Sequence, residues 1–362
     1  MAWIDYKKAY DSVSHSWIRE VLKIYKINDT VRNFLVGCMG KWKVNLTLNY
    51  EKGIITIPEV EIKRGIFQGD SLSPLLFVLA LNPLSALINN LDNGYRINSR
   101  REKQSKEITH LFYMDDLKLF SPNRQETVKQ IEVVKRFSDD INMEFGLDKC
   151  AFLTLRRGRR IDTENIQVDD KIIEQLEQAD VYKYLGIEES ERIEQGKMKE
   201  KIRKEYVRRL KMILKSQLKA RNKTLAIKTL AIPVITYSCG IVDWFQVELN
   251  QLDITTRKMF HAHKSIYKGQ YISRMYTKRT EGGMGMTEID AIYKKEIVGI
   301  GKYLETNQNI FMQWVLEHER NMPATISVTK KMNDYLVDNG INNEVIDGDM
   351  ADPGKYIGKK IW

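Results

Sequence analysis

The stretch "HLFYMDDLKLF", His110 to Phe120, sets two adjacent carboxylates, Asp115 and Asp116, inside an apolar run. Two ionised carboxylates side by side repel, and burying even one charge without a partner is costly. The apolar flanks, Leu111 and Phe112 on one side and Leu117, Leu119 and Phe120 on the other, read as two short strands with the Asp pair at the tight turn between them. Such a hairpin carries both acids to its tip, where a divalent cation is the natural neutraliser.

The rest of the chain supplies the setting. At 362 residues, 43% hydrophobic and 29% charged, it is long enough for a large core and two or three domains, and its composition excludes a disordered tail. A formal charge of +10 points towards a polyanionic partner, and its distribution says more than its total. From Glu191 to Lys228 fourteen Lys and Arg face four Asp and Glu, an excess as large as that of the whole chain. A basic helix there fits a phosphate backbone; a solvated helix face is the alternative reading of the same residues. Cys38, Cys150 and Cys239 match no zinc or disulfide spacing, so they are expected buried and reduced, which implies an intracellular protein. The longest apolar stretch, Leu72 to Ile88, is broken by Ser73, Pro74, Asn82, Pro83 and Ser85 and falls short of the roughly 20 residues of a membrane span. No signal peptide is visible.

Along the chain, "AWIDYKKAYDSVSHSWIREVLKIYKI" predicts a strand ending near Asp5, a turn, and a helix with Trp17, Val21, Leu22 and Tyr25 on one face. Asn28 or Asp29 caps a second helix. "KWKVNLTLNYEKGIITIPEVEIKRG" alternates and is β-branched, so it reads as an antiparallel excursion turning at Asn49–Gly53. Ser73 and Pro74 fit an N-cap and first helical position for a buried helix. Asn123 with Glu126 opens a long helix carrying Val128, Ile131, Val134 and Ile141, stopped by Gly146. "CAFLTL" is expected as a strand and "VYKYLGI" as a short hairpin element. Beyond residue 190 the pattern turns helical and basic, with an apolar helix near Leu225–Tyr237.

Taken singly, Asp5 is also a plausible turn residue at a strand end, and Asp115–Asp116 an exposed hairpin turn. Taken together, three carboxylates on two adjacent strands can hold two metal ions about 3.5–4 Å apart, the arrangement used for in-line phosphoryl transfer. "AWIDYKKAYDSV", "GIFQGDSLSPLLF", "FYMDD", "GLDKCAFL" and "YKYLGI", in this order and at this spacing, resemble the successive palm motifs of reverse transcriptases. "QGDSLSP" and "AYDSVSH" resemble the non-LTR retrotransposon branch. "ELNQLDITTRKMFHAHKS" and "RMYTKRTEGGMGM" are similar, more loosely, to the region after the polymerase in elements with a restriction-enzyme-like endonuclease.

This resemblance implies an α+β fold: a palm over 1–190, a basic helical thumb over 191–240 and a helical region over 241–362. It implies an RNA-directed DNA polymerase acting on an RNA template, a DNA primer and dNTPs, with two Mg²⁺ as cofactors, Mn²⁺ as a substitute, no membrane partner, and a nuclear location from the element type. Asp5, Asp115 and Asp116 become the catalytic acids and metal ligands, with the Tyr6 carbonyl as a further ligand. Tyr10 falls at the steric-gate position that excludes a ribose 2′-hydroxyl, its alternative being a core tyrosine. Gln68 and Gly69 match the turn against the nascent base pair. Lys149 matches a lysine near the triphosphate, able to protonate pyrophosphate, although lone surface lysines are common. Tyr184, Leu185 and Gly186 match the primer grip. Arg203, Arg208 and Arg209 are the candidate backbone contacts of the thumb. Asp11 reads as an orienting hydrogen-bonding residue, and His261 and His263 as packing or surface histidines rather than metal ligands.

In the family the fingers precede the strand bearing the first acid, and here four residues precede Asp5. An N-terminally incomplete copy is therefore expected, lacking fingers and endonuclease segments, which binds primer-template but extends it negligibly by itself. The alternative from a different class is an inactive nucleic-acid-binding remnant, and a palm-type nucleotidyl cyclase is a third. Retention of Asp5, Asp115 and Asp116 argues against the remnant, and the grip hairpin and basic thumb argue against the cyclase.

Overall fold

In the computed structural model, which describes residues 1–51, 53–97, 106–169, 171–178, 180–266 and 271–338, strand β1 (Ala2–Ile4) lies inside a four-stranded antiparallel sheet. Its neighbours are β3 (Asp116–Leu119) on one side, itself paired with β2 (His110–Tyr113), and β4 (Ala151–Phe152) on the other. Strand alternation then sorts the side chains. Ala2, Ile4, Leu117, Leu119 and Phe152 are buried on one face. Trp3 and Lys118, directly opposite each other, occupy the other face, and the same alternation gives that face Asp5 and Asp116.

Helices α1 (His15–Ile24), α2 (Ser73–Asn89) and α3 (Arg124–Asp140) bury their apolar stripes in the core of this first unit, Met1–Arg192. Ile18, Val21 and Leu22 come from α1; Leu76, Phe77, Ala80, Leu81, Leu84 and Ile88 from α2; Ile131, Val134 and Phe137 from α3. Each of the larger side chains contributes roughly 1.5–3 kcal/mol of transfer free energy, and Ala80 less. The expected face of α1 forms, with Trp17 donating from its indole to the Ala80 carbonyl at 2.8 Å. Asn28 caps the helix Asp29–Met39 by accepting from the Thr30 N–H, and Asn123 caps α3 by accepting from the Glu126 N–H.

Some boundaries differ from the sequence reading. Helix α2 starts at Ser73, with Leu72 as its cap, and the Ser73 hydroxyl donates to Asp70. Helix α3 ends at Asp140 rather than at Gly146, because Asn142 takes a left-handed φ of 61° and turns Ile141, Met143 and Phe145 back into the core. Of "CAFLTL" Ala151–Phe152 forms the strand, and Leu153 exchanges hydrogen bonds with Met1 at its end, continuing the pairing with β1 by one residue. The three cysteines are free, with Cys150 and Cys239 buried but Cys38 only partly so. The excursion forms a two-stranded ribbon, Lys43–Tyr50 paired with Gly53–Glu61, with a bulge between Val44 and Leu46. Its Val44, Leu46, Leu48, Tyr50, Ile54, Ile55 and Ile57 are 38–69% exposed.

The second unit, from Ile193 onward, is helical in its described residues. Helix α4 (Gln195–Lys215) buries Met198, Ile202, Tyr206, Leu210, Ile213 and Leu214, a stripe at helical spacing that leaves its lysines and arginines on the other faces. After Ala220–Ala226 the chain makes a π turn, Ile227–Ala231, before Pro233, and the Arg209 guanidinium donates to the Leu230 carbonyl at 2.7 Å. Helices α5 (Gln246–Ala262) and α6 (Ile289–Thr306) complete this core, so the segments 193–240 and 241–338 share one interior. Among the described residues no helix is long and apolar enough to cross a membrane.

Asp253 joins α5 to α6. It is 5% exposed, and its two oxygens accept the Ile289 N–H at 3.1 Å each, at the start of α6. Burial pushes its carboxyl up from the ordinary 3.8 to about 6, against two backbone N–H groups that favour the ion. A raised folded-state value means that the associated stability is complete below about 3.8 and lost as the pH rises through 6. Unfolding followed from pH 4 to 8 should show this loss, on the order of 3 kcal/mol, in the second unit. Asp253→Asn should flatten it while keeping one acceptor for the helix; an identical pH profile in both proteins would count against the assignment.

Candidate active site

Asp5 is the first residue beyond β1. The register Ile4↔Leu117, extended by one residue, sets it opposite Asp116, the first residue of β3. Asp115 and Met114 make the two-residue turn between β2 and β3, with Met114 at a left-handed φ of 55°. The hairpin forms, but its turn falls one residue earlier than expected, on Met114 and Asp115, so that only Asp115 is in the turn and Asp116 begins β3 beside the strand that ends at Asp5.

Burial and like charge both work against ionisation of the acids. The Asp5 carboxyl is raised above its ordinary value, first by burial and then by Asp115 and Asp148, against the opposing pull of Lys149. The Asp116 carboxyl is raised by burial, then by Asp115 and Asp5. Lys149, 66% exposed, places its ammonium 3.4 Å from Asp5 Oδ2. Among the described residues no three His, Cys, Asp or Glu side chains stand close enough together to hold a metal ion. Asp5 instead faces Lys149. The chemistry of the set fits a divalent cation nonetheless: hard oxygen donors of like charge, with the Asp5 and Asp116 carboxyls both raised in part by Asp115.

Asp5 is tightly framed. Its carbonyl accepts the Gly146 N–H at 2.8 Å, and Cys150 packs beside its backbone, where burial pushes the thiol up to about 11. A Cβ built on Gly146 would meet Asp5 Oδ2 at 2.8 Å. Tyr6 forms an isolated bridge with Phe145 through bonds from Gly146 N to Asp5 O and from Lys7 N to Glu144 O, neither of which uses the Tyr6 carbonyl. The Tyr6 ring is buried, with its hydroxyl 3.1 Å from Ser138.

Tyr10 stacks on Phe77 with centroids 4.6 Å apart, and its hydroxyl lies 4.0 Å from Met114 Sδ. Burial and then Asp115 raise its phenol, so the ring stands beside the acidic turn. Gln68 and Gly69 form an exposed turn, Gly69 at φ 94°, and do not line the acidic cleft. That segment is pinned by Gly65, at φ 88°, where a Cβ would fall 2.9 Å from the Asp11 backbone. Asp11 is exposed, with its main chain packed against Gly65.

A cleft of about 600 Å³ opens beside the acids, lined by Asp5, Asp116, Asp148 and Lys149 and by Tyr182, Leu185 and Gly186. The last three belong to a hairpin of β5 (Tyr182–Tyr184) and β6 (Ile187–Glu189), whose two-residue turn has Leu185 at φ 48° and Gly186 at 81°. Asp148 was missed in the sequence, although it neighbours Lys149 in the same turn. So were Trp3, Lys118, Tyr182 and Glu189, which join this hairpin to the sheet; a lysine on an apolar strand was the available signal.

In the second unit Arg203 is exposed, whereas Arg208 and Arg209 both donate to Glu205 at 2.7–2.8 Å and hold its carboxyl at about 2. His261 lies in the last turn of α5 and His263 caps it.

An antiparallel sheet backed by helices, with acids beside a hairpin turn at the edge of a cleft, is the architecture of a polymerase palm. Residues 1–188 match the family model described as reverse transcriptase (RNA-dependent DNA polymerase), and the chain belongs to that family. Among its relatives are Pol polyproteins of type-1 R2 retrotransposable elements. That of Popillia japonica is 25% identical over 294 residues, covering 79% of this chain and 46% of the relative. That of Nasonia vitripennis is 25% identical over 332 residues, covering 88% and 31%. The chain thus spans under half the length of these relatives, and the expected non-LTR type agrees with them. Apo telomerase from Candida tropicalis aligns over 87% of this chain and 52% of its own at 12% identity, with a TM-score of 0.36, too loose to define shared geometry. Enzymes of the family use divalent metal ions.

Proposed function

We propose that this chain carries the palm and thumb of an RNA-directed DNA polymerase that extends a DNA primer on an RNA template with dNTPs. The observation that carries the reading is the meeting of Asp5 and Asp116 across β1 and β3 at a cleft whose opposite lip is the Tyr182–Glu189 hairpin. Asp5, Asp115, Asp116 and the Tyr6 carbonyl would hold two Mg²⁺, with Mn²⁺ able to substitute. When bound, these ions would lower the pKa of the primer 3′-hydroxyl and offset charge on the triphosphate. The chain's own groups do the remaining work. Lys149 neutralises phosphate charge and can deliver a proton to pyrophosphate. Tyr10 closes the space a 2′-hydroxyl would need. Gln68 and Gly69 support the nascent pair, and Tyr184, Leu185 and Gly186 seat the primer end.

Primer extension on an RNA template tests this, using the chain by itself and joined to the N-terminal polymerase segment of an R2 relative. Template-dependent synthesis in either format supports the reading. Binding without synthesis in both formats overturns it and leaves a nucleic-acid-binding remnant.

On α4 the same reading makes Arg203 a backbone contact, worth about 0.9 in the slope of log affinity against log salt. Arg203→Gln should flatten the slope by about that amount, and Arg208→Gln and Arg209→Gln by less, because Glu205 already draws on both. Glu205→Gln should steepen it by releasing them. Equal slopes in all four variants would show a merely solvated face.

A further inference from the structure

Trp3 and Lys118 are an opposed pair on β1 and β3, one step inward from Asp5 and Asp116 on the same face. Lys118 is 8% exposed, and its ammonium lies 2.7 Å from Glu189 Oε1 at the end of the Tyr182–Glu189 hairpin. That oxygen also accepts the Trp3 indole N–H at 2.8 Å. The Trp3 ring stacks on Tyr182 with centroids 4.8 Å apart, and the ammonium sits 5.2–5.4 Å from the rings of Trp3, Phe120 and Tyr184. One carboxylate oxygen thus ties both acid-bearing strands to the base of the hairpin whose tip, Leu185–Gly186, lines the cleft.

A buried ion pair of this kind is weak evidence for stability, because an apolar pair of similar volume often does as well. What it imposes is direction. Stacked rings can slide over one another, whereas an oxygen held by an ammonium and an indole N–H has one place to be. We propose that Lys118, Glu189 and Trp3 form a positioning latch that fixes the Tyr182–Glu189 hairpin on the strands carrying Asp5 and Asp116, so that a 3′ terminus seated by the hairpin is aligned with the acids. The alignment rests on the polymerase reading given above; the latch itself is a property of the fold.

The test pairs two measurements on Lys118→Met, Glu189→Gln and the double variant. In whichever format extends a primer, single-turnover incorporation at saturating dNTP should fall about tenfold or more in Lys118→Met, with primer-template affinity within about threefold. Glu189→Gln, which keeps an acceptor for both donors, should lose less. The double variant should be no slower than Lys118→Met, since the two residues act as one unit. Hydrogen exchange should show faster exchange at 182–189 in Lys118→Met, by about tenfold, with β1, β3 and α2 little changed. Additive rate losses, or a lowered melting temperature with an unaltered rate per folded molecule, would overturn the positioning role. Unchanged exchange at 182–189 would overturn the latch even if no format extends a primer, an outcome that would refute the polymerase reading separately. Glu189→Gln keeps the test decisive if Lys118→Met does not fold.

Discussion

In the chain joined to the N-terminal polymerase segment of a relative, Asp115→Asn should abolish nucleotide incorporation, by about 10³-fold or more, which corresponds to roughly 4 kcal/mol of lost transition-state stabilisation. Primer-template affinity stays within about threefold, since this side chain stands among carboxylates at a turn rather than along a basic face. The effect on stability runs the other way. Asp115 raises the carboxyls of both Asp5 and Asp116, so removing its charge relieves repulsion and the melting temperature should hold or rise. Loss of activity with unimpaired stability is the signature of a group kept for its charge. Extension by the Asn variant at a near-normal rate would remove Asp115 from the site.

Gly146→Ala comes next in size. Gly146 has φ −82°, which alanine tolerates, so the backbone need not change and the unfolded chain loses some freedom. The added methyl would nevertheless stand 2.8 Å from Asp5 Oδ2. The carboxylate must swing away, off its contact with Lys149 and out of line with Asp116. A displacement near 1 Å costs on the order of 10²-fold in rate, and that is the loss expected here with a melting temperature close to that of the parent. A parental rate would mean that Asp5 has room the structure does not give it. Gly69→Ala makes a useful contrast, because its surroundings are open and only its left-handed backbone resists the change.

The hairpin at His110–Phe120 was legible because period-two alternation and a two-residue turn are local properties, and the caps at Asn28 and Asn123 are local too. Gly146 was noticed but misread. Its neighbours Ile141, Met143 and Phe145 keep apolar spacing after the helix has ended, and its constraint is a contact with a residue far away in sequence. Asp148 escaped for a similar reason, since its charge matters only once the Leu147–Lys149 turn is folded against Asp5. The Lys118 and Glu189 pair joins positions 71 residues apart, so a lysine on an apolar strand is a local oddity that does not name its partner. Arg208 and Arg209 were correctly seen as basic, but their capture by Glu205 depends on i,i+3 and i,i+4 geometry that charge counting does not weigh.

The ribbon of Lys43–Tyr50 and Gly53–Glu61 shows where this molecule can tolerate a slip and where it cannot. With apolar side chains in water on the ribbon, moving one strand by a residue exchanges one exposed set for another, and the bulge between Val44 and Leu46 already departs from strict pairing. In the sheet the same slip of β1 would take Ala2 and Ile4 out of the core and send Asp5 into it, and a slip of β3 would do the same to Leu117, Leu119 and Asp116. Fidelity of strand pairing is therefore enforced by burial at the acids and left loose in the ribbon, so insertions and deletions of single residues are affordable in one hairpin and lethal to chemistry in the other.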